Sequence, residues 1–214
     1  MLRTFIVFLF IYSGIFAQNT TYKPFSGSLT YKVELVDSTL KKGKFQYFMR
    51  VYTNDTLVRT ENESPLFGKQ ILIKNLKLSK QYLLINLYDK KYAIQQNIPL
   101  DTFPSKYKFE IKSKFKKFGN KKSQLAITSL RNYPRTFKTY FTTDLNPIYL
   151  DIFKGLKGLP TQYYIPSDNG IFRYTLIEIE EAKLPANTFL FTKDYTKISF
   201  DEFIKIATEP NKPN

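Results

Sequence analysis

Glu178, Glu180 and Glu181, close together near the end of a β-rich run, are the residues whose type and spacing come nearest to acid/base chemistry. In an extended strand, positions 178 and 180 share a face with side chains roughly 7 Å apart, inside the range of paired glycosidase carboxylates. Such pairs sit deep in clefts fed by different strands. These three instead adjoin Lys183 and the polar stretch from Pro185 to Thr188, which reads as a solvated strand edge. The 214 residues include no His and no Cys, which excludes disulfides, thiolate and imidazole metal ligands, and Ser-His-Asp or Cys-His nucleophiles. Glycine occurs only 8 times, and neither a GxGxxG nor a GxxxxGK(S/T) string is present to cradle phosphate. The sequence offers no catalytic residue, no metal ligand and no cofactor, so a binding protein is expected and not an enzyme.

Binding chemistry is better supplied. Lys+Arg outnumber Asp+Glu 33 to 18, a formal net charge of +15. The densest positive field is Lys112, Lys114, Lys116, Lys117, Lys121 and Lys122, around an expected hairpin tip. Phosphate-bearing headgroups, acidic polysaccharide or an acidic protein surface would respond to it. The same lysines also serve to keep a hairpin soluble and to block edge-to-edge aggregation. Twenty Phe and 16 Tyr without one Trp supply a large flat apolar area. Tyr107, Phe109, Ile111 and Phe115, on one face of the same run, are candidates to line an apolar cavity on a concave sheet, and equally to fill a core.

A frame for these groups follows from the alternation of side chains. Ser28, Thr30, Lys32 and Glu34 alternate with Leu29, Tyr31, Val33 and Leu35, the period of two that marks a strand with one buried face. Lys44, Gln46 and Arg50 alternate with Phe45, Tyr47, Met49 and Val51. Phe48 and Tyr52 fall on the polar face, so this second strand is expected to be covered on both sides over part of its length. Asn54-Asp55 turns the chain, and the runs Leu57 to Glu61, Gln70 to Leu76, Gln81 to Leu87 and Lys91 to Gln95 continue an antiparallel meander.

Pro99 to Pro104 reads as a hinge or crossover between two halves, or as an ordinary long loop. Beyond it, Lys106, Lys108, Glu110, Lys112 and Lys114 alternate with Tyr107, Phe109, Ile111, Ser113 and Phe115. Gly119-Asn120 offers a turn, and Lys121 to Leu130 and Arg135 to Thr142 return as strands. Asn146-Pro147 opens a short helix over Ile148 to Phe153, ending near Gly155 or Gly158. Tyr163 to Ile165 and Ile171 to Ile179 flank Asp168-Asn169-Gly170, the strongest hairpin signal in the chain. Ser199-Phe200-Asp201-Glu202 is a capping-box pattern opening a C-terminal helix of about ten residues. Pro210 and Pro213 leave a frayed tail over 210–214.

At the N-terminus, Arg3 precedes an apolar run from Phe5 to Tyr12, then Ser13-Gly14 and Ile15-Phe16-Ala17 before Gln18. That order reads as a secretory signal peptide over residues 1–17, cleaved after Ala17. Crossing about 30 Å of hydrocarbon takes roughly 20 apolar residues, and this run has only about 12. With no cysteine behind the leader there is no lipid attachment point. The expected product is exported, unlipidated, without a transmembrane segment, and a single β-rich domain over 18–209, large enough to hold together by packing alone. Asn19-Thr20-Thr21, Asn54-Asp55-Thr56 and Asn62-Glu63-Ser64 match the glycosylation acceptor pattern, which a chain rich in Asn and Thr produces by chance.

Lys154-Gly155-Leu156-Lys157-Gly158-Leu159-Pro160 is followed by Tyr163-Tyr164-Ile165 and then by Leu184-Pro185 through Phe189 to Lys193-Asp194-Tyr195. This order resembles small exported envelope proteins of the GLPGLI type and the lipoprotein-carrier LolA/LolB-like group. Thr143-Asp144, Gly27-Ser28-Leu29-Thr30-Tyr31 and Lys91-Tyr92-Ala93-Ile94 also look like their pattern, whereas Leu125-Ala126-Ile127-Thr128 departs from the group's usual Ile-Ala-Gly-Tyr-type strand. The resemblance implies an open, strongly curved antiparallel sheet, an unclosed barrel with capping helices near 148–154 and 200–208. It also implies an apolar cavity, which in lipid-carrying members takes acyl chains. The expected fold class is thus mainly β with a few short helices. The expected function is that of a non-enzymatic envelope protein, periplasmic or outer-membrane-associated. It would bind an apolar or amphipathic partner, a lipid or lipoprotein acyl chain, in a concave sheet with a lysine-rich rim. An accessory subunit docking on an outer-membrane protein complex, with no small ligand, is the alternative. Nucleic acid is not an expected partner, since an exported protein rarely meets it and no RNP, zinc-finger or helix-turn-helix pattern is present.

Overall fold

The computed structural model describes residues 22–38, 45–64, 68–87, 89–97, 106–150, 152–167 and 170–208. The expected leader, the acceptor Asn19, the Pro99 to Pro104 segment, Asp168-Asn169 and the tail lie outside the described residues.

The alternating runs become strands. β1 (Ser26–Ser38), β2 (Gln46–Asn54), β3 (Leu57–Ser64), β4 (Gly68–Asn75), β5 (Lys80–Leu87) and β6 (Lys90–Asn97) form one meander. β7 (Tyr107–Phe118), β8 (Lys121–Leu130), β9 (Thr136–Thr142), β10 (Leu159–Ser167) and β11 (Gly170–Glu181) form a second. A short β12 (Thr196–Ser199) leads into the helix α1 (Phe200–Thr208). Together they make one 12-stranded sheet in the order β12-β6-β5-β4-β3-β2-β1-β11-β10-β9-β8-β7. The molecule is mainly β, and the sheet is open, with β12 and β7 as its outer strands. One pairing corrects the antiparallel expectation: β12 runs parallel to β6, because it enters from a long connection and not from a hairpin.

The two meanders join where β1 pairs with β11. Leu29, Tyr31 and Val33 face Val51, Met49 and Tyr47 on one side and Ile179, Leu176 and Tyr174 on the other, with Ile177 bulged out. Leu29, Tyr31, Val33 and Val51 are wholly buried. From here the second meander coils back on itself. The Thr161 hydroxyl of β10 donates to Ser123 of β8 at 2.8 Å, across β9. A Cβ at Gly119, which turns β7 into β8 with φ 54°, would lie 3.7 Å from the Ile177 carbonyl oxygen of β11. On β2 the expected double cover is incomplete, since Phe48 stays exposed.

The expected helix over Ile148 to Phe153 is reduced to a 3₁₀ turn, Pro147–Tyr149, capped by the Asn146 side chain, which accepts from the Ile148 N–H at 3.0 Å. The reason is packing. Tyr149, Leu150, Phe153 and Leu156 are all buried while Ile148 is exposed, and an irregular chain turning at Leu156 and Gly158 delivers the four side chains to one core. Phe153 meets Tyr163 at 5.5 Å, Tyr163 stacks on Tyr174 at 4.7 Å, and the Tyr149 hydroxyl donates to Asp55 at 2.5 Å. The concave face of this half is thus filled by the chain itself.

A second, smaller core of Ile71, Ile73, Leu84 and Ala93 lies on the first meander. The helix α1 forms as its capping box requires, the Ser199 N–H donating to Glu202 at 2.6 Å and the Glu202 N–H to the Ser199 hydroxyl at 3.2 Å. It packs Phe203 against Tyr92 of β6, whose side chain points away from the Ala93 face. Contrary to expectation it does not cover Tyr107 and Phe109.

Two buried tyrosines test this core. The Tyr31 hydroxyl donates to the Pro160 carbonyl at 2.8 Å, whereas the Tyr163 hydroxyl is buried with no hydrogen-bond partner among the described residues. Tyr31→Phe is expected to cost about 1 to 2 kcal/mol by orphaning that carbonyl, and Tyr163→Phe to stabilise by about 1 kcal/mol. Urea midpoints at neutral pH read both. Equal effects of one sign would contradict this hydrogen-bond assignment.

Candidate functional site

A cleft with a largely apolar wall lies on the first meander, not on the coiled half. Register places Ile71 opposite Leu84, Ile73 opposite Tyr82 and Leu84 opposite Ala93, so these side chains share one face. Arg59 of β3 pairs with Ile73 and stands on the same face. Over this face runs a strap, residues 182–195, carrying the chain from β11 to β12. It contains a 3₁₀ turn, Ala186–Phe189, and otherwise makes no strand.

Three contacts hold the strap down. Arg59 donates to the carbonyls of Thr188 at 3.3 Å and Leu190 at 3.2 Å, and its guanidinium is itself held by Glu61 at 2.7 Å. Phe189 is buried, and Phe191 lies against Tyr82 at 5.3 Å and Tyr195 at 5.9 Å. Asp194 pairs with Lys91 at 2.5 Å. The Lys91 ammonium and then the Thr192 hydroxyl hold the Asp194 carboxyl below its ordinary range, and Asp194 in turn raises Lys91.

Strap and sheet enclose a half-open cleft of about 740 Å³. Its apolar wall is Leu57, Ile73, Tyr82, Phe189, Leu190, Phe191 and Tyr195. Its charged lining groups are Lys80, Lys193 and Lys197, with no carboxylate among them, and the Lys197 ammonium sits 5.6 Å from the Phe191 ring centre. Such a site can bury a hydrocarbon segment and hold an anionic end at its mouth. A second cleft of about 660 Å³, near Tyr22 to Ser26, mixes Lys23 and Lys121 with Asp144 and Glu181 and favours neither sign of ligand.

The residues singled out from sequence are distributed differently from the expectation. Tyr107 and Phe109 pack on Phe153 at 4.7 and 5.8 Å, so the space before them is occupied. Ile111 and Phe115 are exposed and are part of neither cleft described above. Phe153 covers only the start of this face, so it changes from half-buried at Tyr107 and Phe109 to open at Ile111 and Phe115, while Phe118 at the end of the strand is buried in the core again. Lys112, Lys114, Lys116, Lys117, Lys121 and Lys122 all lie on the β7–β8 hairpin; none of them lines the strapped cleft, and Lys121 lines the polar one. Lys112 is paired with Glu110, and Lys121 with Asp144 at 3.7 Å. Glu178 and Glu180 are exposed on β11, opposite Thr30 and Ser28, and line neither cleft described above, an arrangement that fits a solvated strand edge and not a buried acid pair.

Sequence reasoning missed the cleft. The runs that become β4 and β5 read only as strands of a meander, and the signal that could have marked the strap is the alternate-residue series Phe189, Phe191, Lys193, Tyr195 and Lys197, in which aromatic rings and ammonium groups share one side.

Fold and cleft define a class: an open, coiled β-sheet protein with an apolar, cation-rimmed cleft beneath a strap. No protein-family model matches the chain, and no curated protein matches it.

Proposed function

We propose that this is an exported envelope protein, periplasmic or outer-membrane-associated, that binds an anionic amphiphile without chemically altering it, its acyl portion in the strapped cleft. The observation that carries the reading is the pairing of a half-open apolar cleft of about 740 Å³ with three lysines and no acid in its lining. The leader-like residues 1–17 and the resemblance to lipoprotein-carrier proteins support it. In this reading the lysine-rich rim is Lys80, Lys193 and Lys197 and not the β7–β8 hairpin.

The test starts from protein purified with its leader processed in the envelope, extracted with organic solvent and examined by mass spectrometry. An acidic lipid or acylated species is expected in the extract. Delipidated protein is then titrated with oleate. Leu190 is 65% exposed and lines the cleft, so Leu190→Asp leaves folding intact. Loss of the apolar contact that Leu190 would make with the bound acyl chain, and the added like charge, are expected to weaken oleate binding by about tenfold or more. Protein that carries no lipid and binds oleate equally with Asp at 190 would overturn the reading. Co-purification of an intact membrane complex with no extractable lipid would instead establish the accessory-subunit alternative.

A further inference from the structure

We infer that the β7–β8 hairpin is a docking surface for an anionic lipid bilayer, distinct from the cleft. It belongs to the opposite end of the strand order and shares no lining residue with it. Lys114, Lys116, Lys117 and Lys122 are exposed, and among the described residues none has an acidic partner. Lys117 stands directly opposite Lys122 in the register, an arrangement that disfavours the hairpin in isolation and that a surface of negative charge would relieve. Apolar groups stand among these cations. Ile111 is 49% and Phe115 53% exposed, and the Lys122 ammonium lies 4.4 Å from the Phe115 ring centre.

A bilayer fits this better than an acidic polypeptide does. As an outer strand, β7 could accept a partner strand only along an unbroken ladder. The register jumps from Lys112 opposite Leu125 to Phe115 opposite Gln124, leaving Ser113 and Lys114 bulged in the middle of the edge. What the hairpin presents is therefore side chains: ammonium groups at headgroup level beside an aromatic ring and an isoleucine that reach toward hydrocarbon.

Flotation of the mature protein with vesicles of phosphatidylcholine, and of phosphatidylcholine with phosphatidylglycerol, tests the inference. Binding is expected only with phosphatidylglycerol present and is expected to fall with salt. Each lysine near an anionic surface contributes about fivefold, so Lys→Gln at 114, 116, 117 and 122 together should lower partitioning by several hundredfold, to order of magnitude. Phe115→Ser should weaken binding while leaving the salt dependence in place. Lys193→Gln with Lys197→Gln, in the cleft, should leave vesicle binding unchanged, which separates this surface from uptake of single lipids. Urea midpoints confirm that these exposed substitutions leave the fold intact. Equal partitioning of the quadruple variant, equal binding to neutral vesicles, or capture by polyglutamate without vesicle binding would each overturn the inference.

Discussion

Raised above about pH 10, the protein is expected to lose stability steeply and to unfold with its tyrosines ionising in one transition. Burial holds the phenols of Tyr31 and Tyr163 well above their ordinary value, Tyr163 being pushed further by its neighbours Tyr31, Tyr174 and Tyr47. Burial and then the hydrogen bond to Asp55 raise Tyr149, and burial and then Tyr47 raise Tyr174. Folded-state values above the unfolded one mean that stability is fully present below about pH 10 and is lost as the pH climbs, because only the unfolded chain releases these protons. Each such group contributes about 1.4 kcal/mol per pH unit, so four give roughly 5 to 6 kcal/mol per unit. Against a typical 5 to 15 kcal/mol, that places the unfolding midpoint at about pH 11 to 13. Tyrosinate absorbance and far-UV circular dichroism should change together. Tyr163→Phe should shift the midpoint upward and flatten the slope. Tyrosines titrating one by one before the circular dichroism changes would contradict the packed interior described above.

Near neutrality the same reasoning expects a flat profile, since the chain has neither His nor Cys to titrate there. On the acid side the effects are small and sit at the surface. Burial works against the Glu34 charge, but hydrogen bonds from Lys32 and Arg173 outweigh it and lower its value. That contribution is present above the ordinary carboxylate value and is lost as pH falls through the lowered one.

The strands were legible because one side of the sheet is buried, and a period of two survives in any strand with one wet face. It marked β1, β2 and β7, the β-rich runs between breaks and turn residues placed β3 to β6, β8, β9 and β11 to within a few residues, and the capping box placed α1. Three features were written in no local pattern. The order of the strands is one: β1 is inserted between β2 and β11, a pairing between the ends of the described chain that hairpin signals cannot encode. The second is the use of the chain around Tyr149, Leu150, Phe153 and Leu156 as a filling with no more than a 3₁₀ turn among its described residues, where proline near a start and glycine past an end suggested a helix. Burial of Tyr149, Leu150, Phe153 and Leu156 in one core overrode that propensity. The third is the cleft. Alternation showed that Tyr107, Phe109, Ile111 and Phe115 share a face, but not that Phe153 occupies the space before the first two while the last two stand in solvent. A face is a local property, whereas the space in front of it depends on what the rest of the chain puts there.

Replacing Gly27 by alanine is expected to be among the most damaging single substitutions in the described chain. Gly27 pairs with Thr53 of β2 and Glu181 of β11, at the junction that joins the two meanders. Its φ is 152°, and a Cβ there would lie 1.9 Å from the Glu180 carbonyl oxygen and 3.0 Å from its carbon. Those atoms are backbone, so relief requires β1 and β11 to separate, at about 3 kcal/mol or more. Gly155→Ala is the control: its φ is 90°, but nothing lies within 4 Å of the added atom, and a cost of only about 1 to 2 kcal/mol is expected from backbone strain. Urea unfolding of the two variants separates collision from conformational strain. Gly27→Ala should also weaken oleate binding in the cleft, by a route other than global unfolding. The strap begins at Ala182, whose N–H donates to the Ser26 carbonyl at 3.0 Å and whose carbonyl accepts from the Ser26 hydroxyl at 2.8 Å. Forcing β11 away at Glu180 therefore pulls on the root of the segment that carries Phe189, Leu190 and Phe191. If affinity is unchanged in conditions where the variant remains folded, the cleft is held by Arg59 and Lys91 alone and its geometry does not depend on the junction.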